Sequence, residues 1–282
     1  MKSVIVFGAT GMAGHMITLY LLNSGYDVTA FARRNLSFCK TEVGDALNAD
    51  RVREVLQQRN YDVVINCIGL LNMVAEDRKA EAVFLNSYLP HLIAKTVRDN
   101  NSKVIHLSTD CVFTGNSGPY FEHSFQDGKS FYDRTKAMGE LNYGRTLTFR
   151  NSIIGPDMNT NGIGLFNWFM KQNGKIRGYS GAMWNGVTTL TLAKAIDKAI
   201  VSDLTGVYHL LGNEPISKFE LLNLFNKSFR NGKLEIVEDD LIKLDKCLTN
   251  TRSDFKFTVG SYSEMINEMK DWVDRYDRIY NY

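Results

Sequence analysis

The chain has 282 residues, 44% of them hydrophobic and 23% charged, with 33 basic against 31 acidic side chains for a net charge of +2. That balance predicts a well-filled globular core and excludes wholesale disorder, and with no basic run interleaved with aromatics it also excludes a nucleic-acid surface. No apolar run approaches the roughly eighteen residues of a membrane helix, and Cys39, Cys67, Cys111 and Cys247 lack metal-ligand or disulfide spacing. A reduced, cytoplasmic, metal-free protein is therefore expected.

Ser3 to Phe7 reads as a compact apolar strand that runs straight into Gly8-Ala9-Thr10-Gly11-Met12-Ala13-Gly14. Met16 to Asn23 follows with apolar residues at helical spacing, which gives strand, glycine turn, helix. Glycines let backbone approach a pyrophosphate, and a helix N-terminus meets its charge. Gly8, Thr10, Gly11, Met12 and Gly14 are therefore candidate dinucleotide-binding residues; a plain turn is the competing reading of the glycines alone. Asp27 to Ala32 reads as the second strand. The residue at its far end, about 20 positions past the glycines, meets the adenosine ribose in such folds. An acid there would favour NAD, but the chain has Arg33-Arg34, and Asp27 lies at the opposite end. Guanidiniums suit a 2′-phosphate, so NADP(H) is the expected cofactor, against a merely solvated arginine pair.

Val43-Gly44-Asp45 ends a third strand, with Asp45 near the adenine, and Asn48 or Asp50 caps a helix running to Arg59. Asp62 to Asn66 is a fourth strand closing on Cys67-Ile68-Gly69, a small-residue turn able to lie against a cofactor. Glu81 to Asp99 reads as one long helix burying Leu85, Leu89, Leu92, Ile93 and Val97, with Asn86 at an exposed position or bonded to nearby backbone. Lys103 to Leu107 is another strand, and Ser108-Thr109-Asp110 sits at its carboxyl end, where open α/β sheets place ligands. Gly115 to Lys129 is a polar loop. A helix from Phe131 to Leu141 then places Tyr132 and Lys136 four residues apart on one face. A phenol beside an ammonium, near a strand-end hydroxyl, is a proton-donating arrangement, because the ammonium favours the phenolate of a group whose pKa is otherwise about 10. A surface Tyr and Lys on an amphipathic helix is the competing reading. Thr146 to Phe149 is a further strand, ending in Arg150-Asn151-Ser152. The alternation predicts a doubly wound parallel sheet over residues 1–150.

Beyond Arg150 the pattern loosens. Ile154-Gly155-Pro156 reads as a turn, Gly162 to Gln172 as a short helix, and Ile176 to Gly186 as a loop carrying Tyr179 and Trp184. Thr188 starts a helix through Val201, Gly206 to Leu210 is a strand, Ser217 caps a helix, Leu234 to Val237 is a strand, and Ser263 caps a C-terminal amphipathic helix. Residues 151–282 are expected to form a smaller substrate-binding lobe, interleaved with the first part near the active site.

With Gly8, Gly11 and Gly14, Ser108-Thr109-Asp110 and Tyr132-x-x-x-Lys136 in that order, the chain resembles the extended short-chain dehydrogenases/reductases, over essentially its whole length. S-T-D-C-V-F-T-G followed by G-P-Y-x-E is more narrowly similar to the dTDP-4-dehydrorhamnose reductase group of nucleotide-sugar 4-ketoreductases. The resemblance implies a Rossmann-type α/β fold with Tyr132 as proton donor, Lys136 holding the nicotinamide ribose and acidifying the tyrosine, and Thr109 on the keto oxygen. It extends the cofactor side to Ser108 and Arg150. The substrate side takes in Asp110, Cys111 and Asn151, with Trp184 against a packing aromatic and Arg252 against a solvated cation as competing readings. The implied substrate is a dTDP- or UDP-linked 4-keto-6-deoxyhexose of deoxysugar or surface-polysaccharide synthesis.

The chain also departs from that group. Arg150-Asn151-Ser152-Ile153 lacks the expected tryptophan, and the later loop reads G-Y-S-G-A-M-W-N-G-V-T-T. Cys111 stands where related 4,6-dehydratases carry a glutamate, which favours a reductase over a dehydratase or an epimerase. A non-catalytic NADP-binding regulatory subunit, like relatives that partner methionine adenosyltransferase, is the alternative from another class. The complete Thr109, Tyr132 and Lys136 set weighs against it. A homodimer is the default assembly.

Overall fold

The structure, a computed structural model, describes residues 1–116, 118–280 and 282. Its first half alternates strand and helix: β1 (Ser3–Phe7), α1 (Met12–Asn23), β2 (Asp27–Ala32), β3 (Lys40–Val43), α2 (Ala49–Gln58), β4 (Val63–Asn66), the short α3 (Asn72–Asp77) and α4 (Lys79–Ala82), then α5 (Leu89–Thr96), β5 (Lys103–Thr109), α6 (Phe131–Met138) and β6 (Thr146–Asn151). The second half adds β7 (Ile153–Ile154), α7 (Leu165–Met170), β8 (Lys175–Tyr179), β9 (Ala182–Trp184), β10 (Val187–Thr188), α8 (Thr189–Ile200), β11 (Gly206–His209), β12 (Ile216–Ser217), α9 (Lys218–Arg230), β13 (Glu235–Asp239), β14 (Leu244–Asp245) and α10 (Tyr262–Arg275).

Seven strands form one sheet in the order β11-β6-β5-β4-β1-β2-β3, and every neighbouring pair is parallel. The inner strands read as continuous apolar runs because helices cover both faces. Met16 and Ile17 of α1, Ile196 of α8 and Val273 of α10 fill one side; Val52 and Val55 of α2 with Leu89 and Ile93 of α5 fill the other. The expected doubly wound α/β sheet is present. Interleaving goes further than a division at 150/151 implies, since α8 and the edge strand β11 come from the second half. The rest of that half forms a lobe around Phe166, Phe169, Leu221, Phe225, Ile266 and Met269.

Several expectations need correction. Ile176 to Gly186 is not a loop: β8 pairs with β13, and β9 is flanked by β12 and β14. Ser261, not Ser263, caps α10, because it can form a capping box with Glu264. Helix α6 ends at Met138, three residues short of the predicted end, with Gly139 as its C-cap. The long helix over 81–99 is interrupted at Val83–Tyr88 by a π-helical turn. That bulge swings Asn86 inward to full burial. There it bonds Leu70 N at 2.8 Å and Leu70 O at 3.0 Å, and donates to the Thr135 hydroxyl at 3.1 Å.

Helix α6 rests directly on this bulge. A Cβ at Gly139 would stand 1.9 Å from the Asn86 carbonyl oxygen, so only glycine permits the approach. Gly139→Ala should therefore cost about 2–3 kcal/mol, as overpacking against rigid backbone does. Urea unfolding of the variant checks this.

Candidate active site

Strand β1 hands its glycine turn to α1. Gly8 adopts φ +78°, and a Cβ there would lie 2.9 Å from Ile68 Cγ1. A Cβ on Gly14 would be 2.1 Å from the Gly8 carbonyl oxygen, so this glycine serves the packing of helix on turn. Gly11 caps α1 without a side chain, which leaves first-turn N–H groups without a side-chain acceptor. Around this cradle lies a cleft of about 290 Å³ that gathers Gly8, Thr10, Gly11, Arg33, Asp45, Cys67, Ile68 and Gly69. Arg33 and Arg34 are exposed and make no ion pair among the described residues, whereas Asp27 is paired with Arg59 at the far end of β2. Met12 points toward the second lobe, its sulfur 3.0 Å from where a Gly164 Cβ would be. Arg78, Glu81 and Leu85, which no sequence motif marks, close the cleft from α3–α4 and the bulge.

Gly69 joins this cleft to Lys136: a Cβ there would lie 3.9 Å from its Nζ. Helix α6 starts with a capping box between Ser130 and Asp133, and Phe131 N donates to Glu76 at 2.6 Å. This entry angle buries Tyr132 against Ala75 and Ala82, with the Thr109 hydroxyl near enough to its phenol to favour the ionised form. Thr109 Oγ1 also donates to Asp110 at 3.1 Å and accepts from Cys111 N at 3.1 Å. Lys136 Nζ donates to the Leu107 carbonyl at 2.6 Å.

Burial dominates the proton equilibria. It pushes the Tyr132 phenol well above its usual range, with Cys111 adding to the rise and the Thr109 hydrogen bond opposing it. Lys136 itself falls to about 8 through burial, against the pull of Glu140 and Cys67. The Asp110 carboxyl rises on burial, opposed chiefly by Lys218.

Lys218 was not foreseen. It begins α9 of the second lobe, yet its ammonium lies 4.8 Å from the Trp184 ring centroid and feels Asp110, Cys111 and Cys247. Burial lowers it to about 8. Trp184 and Asn151 are themselves buried, and Trp184 Nε1 and Asn151 Nδ2 have no hydrogen-bond partner among the described residues. Such donors carry an uncompensated desolvation cost unless a ligand or water meets them. Asn151 pairs in register with Thr109, so both side chains leave the same face of the sheet. Asp110, Cys111, Asn151 and Trp184 thus gather with Lys218 around Thr109.

Three assignments need correction. Ser108 and Arg150 also pair in register, one residue back, so they face the opposite side from Thr109. There Arg150 forms a two-point ion pair with Glu140, at 2.9 Å and 2.6 Å, and bonds His209 at 2.7 Å; Ser108 donates to the same glutamate at 2.5 Å. Both are committed to this network and not to a cofactor. Arg252 is likewise spent, on the Thr205 and Val207 carbonyls and Asp254, where it ties the C-terminal segment to β11.

The family described as RmlD substrate binding domain matches residues 1–239. The chain belongs to this family. Among curated relatives, dTDP-4-keto-6-deoxy-D-glucose reductase of Streptomyces niveus is 31% identical over 138 residues, 48% of this chain and 45% of the relative. The chain thus spans less than half the length of that relative. The dTDP-4-dehydrorhamnose reductase of Aggregatibacter actinomycetemcomitans is 26% identical over 254 residues, 84% of this chain and 83% of the relative. The solved dTDP-4-dehydrorhamnose reductase of Bacillus anthracis, in complex with NADP, superposes with a TM-score of 0.81 at 21% identity, covering 95% of this chain and 98% of that one. The likeness establishes that this family member shares its fold.

The Glu140–Arg150 pair is almost wholly buried, at 6% and 2% side-chain exposure. Glu140→Ala would leave the guanidinium buried and uncompensated, and should cost about 3–5 kcal/mol. Denaturant unfolding of the variant beside the parent measures it.

Proposed function

We propose that the chain is an NADPH-dependent reductase acting on the 4-keto group of a nucleotide-linked 4-keto-6-deoxyhexose. One observation carries the reading: Thr109, Tyr132 and Lys136 converge at the end of β5, and Gly69 connects them to a glycine cradle able to take a dinucleotide. Family membership supports the same chemistry. The cleft fits such a cofactor, because backbone N–H groups at the start of α1 lack a side-chain acceptor and Arg33 on the rim is free to meet a 2′-phosphate.

A bound reduced nicotinamide supplies the reducing equivalent to the carbonyl carbon. The chain's own groups do the rest. The Thr109 hydroxyl orients the keto oxygen, and the Tyr132 phenol, held protonated by burial, gives that oxygen its proton as the C=O bond becomes C–O–H. Lys136 is placed to hold the ribose beside Gly69. Asp110, Asn151, Trp184 and Lys218 form the sugar side, where the unpartnered donors of Asn151 and Trp184 await hydroxyl or carbonyl oxygens.

The decisive assay is NADPH oxidation by the purified protein with a panel of dTDP- and UDP-linked 4-keto-6-deoxy sugars. Turnover with one member is expected; tight NADPH binding with none would favour the regulatory-subunit reading. Tyr132→Phe should abolish turnover while keeping NADPH affinity, and an active variant refutes the assigned proton donor. Replacing Arg33 and Arg34 by alanine should weaken NADPH binding about tenfold or more, as loss of charged hydrogen bonds does, and leave NADH affinity unchanged. Equal NADPH and NADH affinities in the parent would refute the cofactor choice.

A further inference from the structure

The buried polar groups beneath Lys136 have a defined proton arrangement. Asn66, at the end of β4, accepts from the Ile68 backbone N–H through Oδ1 at 3.1 Å. A backbone N–H is a donor only, so this bond fixes the amide orientation and leaves Asn66 Nδ2 facing His106 Nδ1 at 3.2 Å. Nδ1 must then be the acceptor. His106 is fully buried and held well below its usual pKa by burial, then by Lys136 and by His91, so the ring is neutral. A neutral ring that accepts at Nδ1 carries its proton on Nε2. That N–H faces Lys136 Nζ at 3.5 Å.

An ammonium has three donors and no lone pair, so it opposes a second donor at this position. A neutral amine can accept from His106 Nε2–H while still donating to the Leu107 carbonyl. We propose that Asn66 and His106 are positioning residues that favour the free amine of Lys136 in the cofactor-free protein, so that, wherever that amine is populated, docking of the dinucleotide is coupled to proton uptake at Nζ. The anionic cofactor and its ribose hydroxyls favour the ammonium that the empty pocket disfavours. The other ionisable groups facing Nζ among the described residues are Glu140, just past the end of its helix, and Cys67 on the turn after β4. Glu140 is already engaged by Arg150, Ser108 and Gln126, and burial keeps the Cys67 thiol protonated, pushed up to about 12. The inference rests on reading Lys136 as a cofactor-holding residue.

Calorimetry of NADPH binding in paired buffers of different ionisation enthalpy counts protons directly and needs no sugar substrate. In the parent, uptake should be absent well below the Lys136 pKa and rise through a midpoint at about pH 8. Asn66→Ala frees Nδ1 to carry the ring proton and turns Nε2 into an acceptor for the ammonium; His106→Gln offers a carbonyl oxygen to Nζ instead. Both variants should move the midpoint upward by about one pH unit, a tenfold gain in proton affinity. If His106→Gln does not fold, Asn66→Ala decides. Weaker NADPH binding with an unmoved midpoint, as a merely structural role would give, overturns the inference, as does binding without proton uptake at any pH. Failure of the parent to bind any nicotinamide dinucleotide overturns the functional reading and this inference with it.

Discussion

Strands β5 and β6 lie side by side in parallel register, with Ser108 opposite Arg150 and Thr109 opposite Asn151. Strand side chains alternate between faces, so this one pairing splits four consecutive-looking polar residues into two different jobs. Ser108 and Arg150 go to one face, where Glu140 accepts from both and from Gln126. Thr109 and Asn151 go to the other, the face on which Thr109 meets Tyr132. The buried ion pair is tolerable because its geometry is two-pointed and because His209 and the Glu122 carbonyl take the remaining guanidinium donor. It also pins the loop after β5, the end of α6 and the edge strand β11 to one another. Moving any of these would move Thr109 relative to Tyr132.

The second lobe is held against this frame by its own polar clasps. Asn185 bonds both the N–H and the carbonyl of Leu248, and Glu122 accepts from the Thr251 hydroxyl and backbone. These contacts carry Trp184 and Lys218 to within reach of Asp110, so a cation from α9 and an acid just past the end of β5 face one another. The polar groups around Thr109 thus come from parts of the chain more than 100 residues apart.

Within the site, desolvation outweighs direct charge effects. It keeps the phenol of Tyr132 protonated, raises the Asp110 carboxyl and lowers Lys136 and Lys218 to about 8, so burial favours the neutral form of each group. Such a site suits a ketone reduction, in which a neutral donor must release a proton only as negative charge grows on oxygen.

Local signals were legible before any coordinates. The strand–glycine–helix opening, the arginines after β2, the Ser108-Thr109-Asp110 strand end and the four-residue spacing of Tyr132 and Lys136 all depend on periods and turns that neighbouring residues impose. What sequence could not give was partnership. Whether an arginine is free or spent, as Arg33 and Arg150 respectively are, depends on which distant acid folding brings beside it. Asn86, an unremarkable helix residue in one dimension, is buried because a π bulge rotates it onto α6. The sequence by itself determined the sheet, the glycine turn and the spacing of Tyr132 and Lys136, since these follow from backbone periodicity and short-range sterics. Only the tertiary structure decided which face of each strand end meets the cleft, brought Lys218 to Trp184 and set His106 beneath Lys136, because those outcomes depend on non-local pairing and on burial that no short stretch of chain contains.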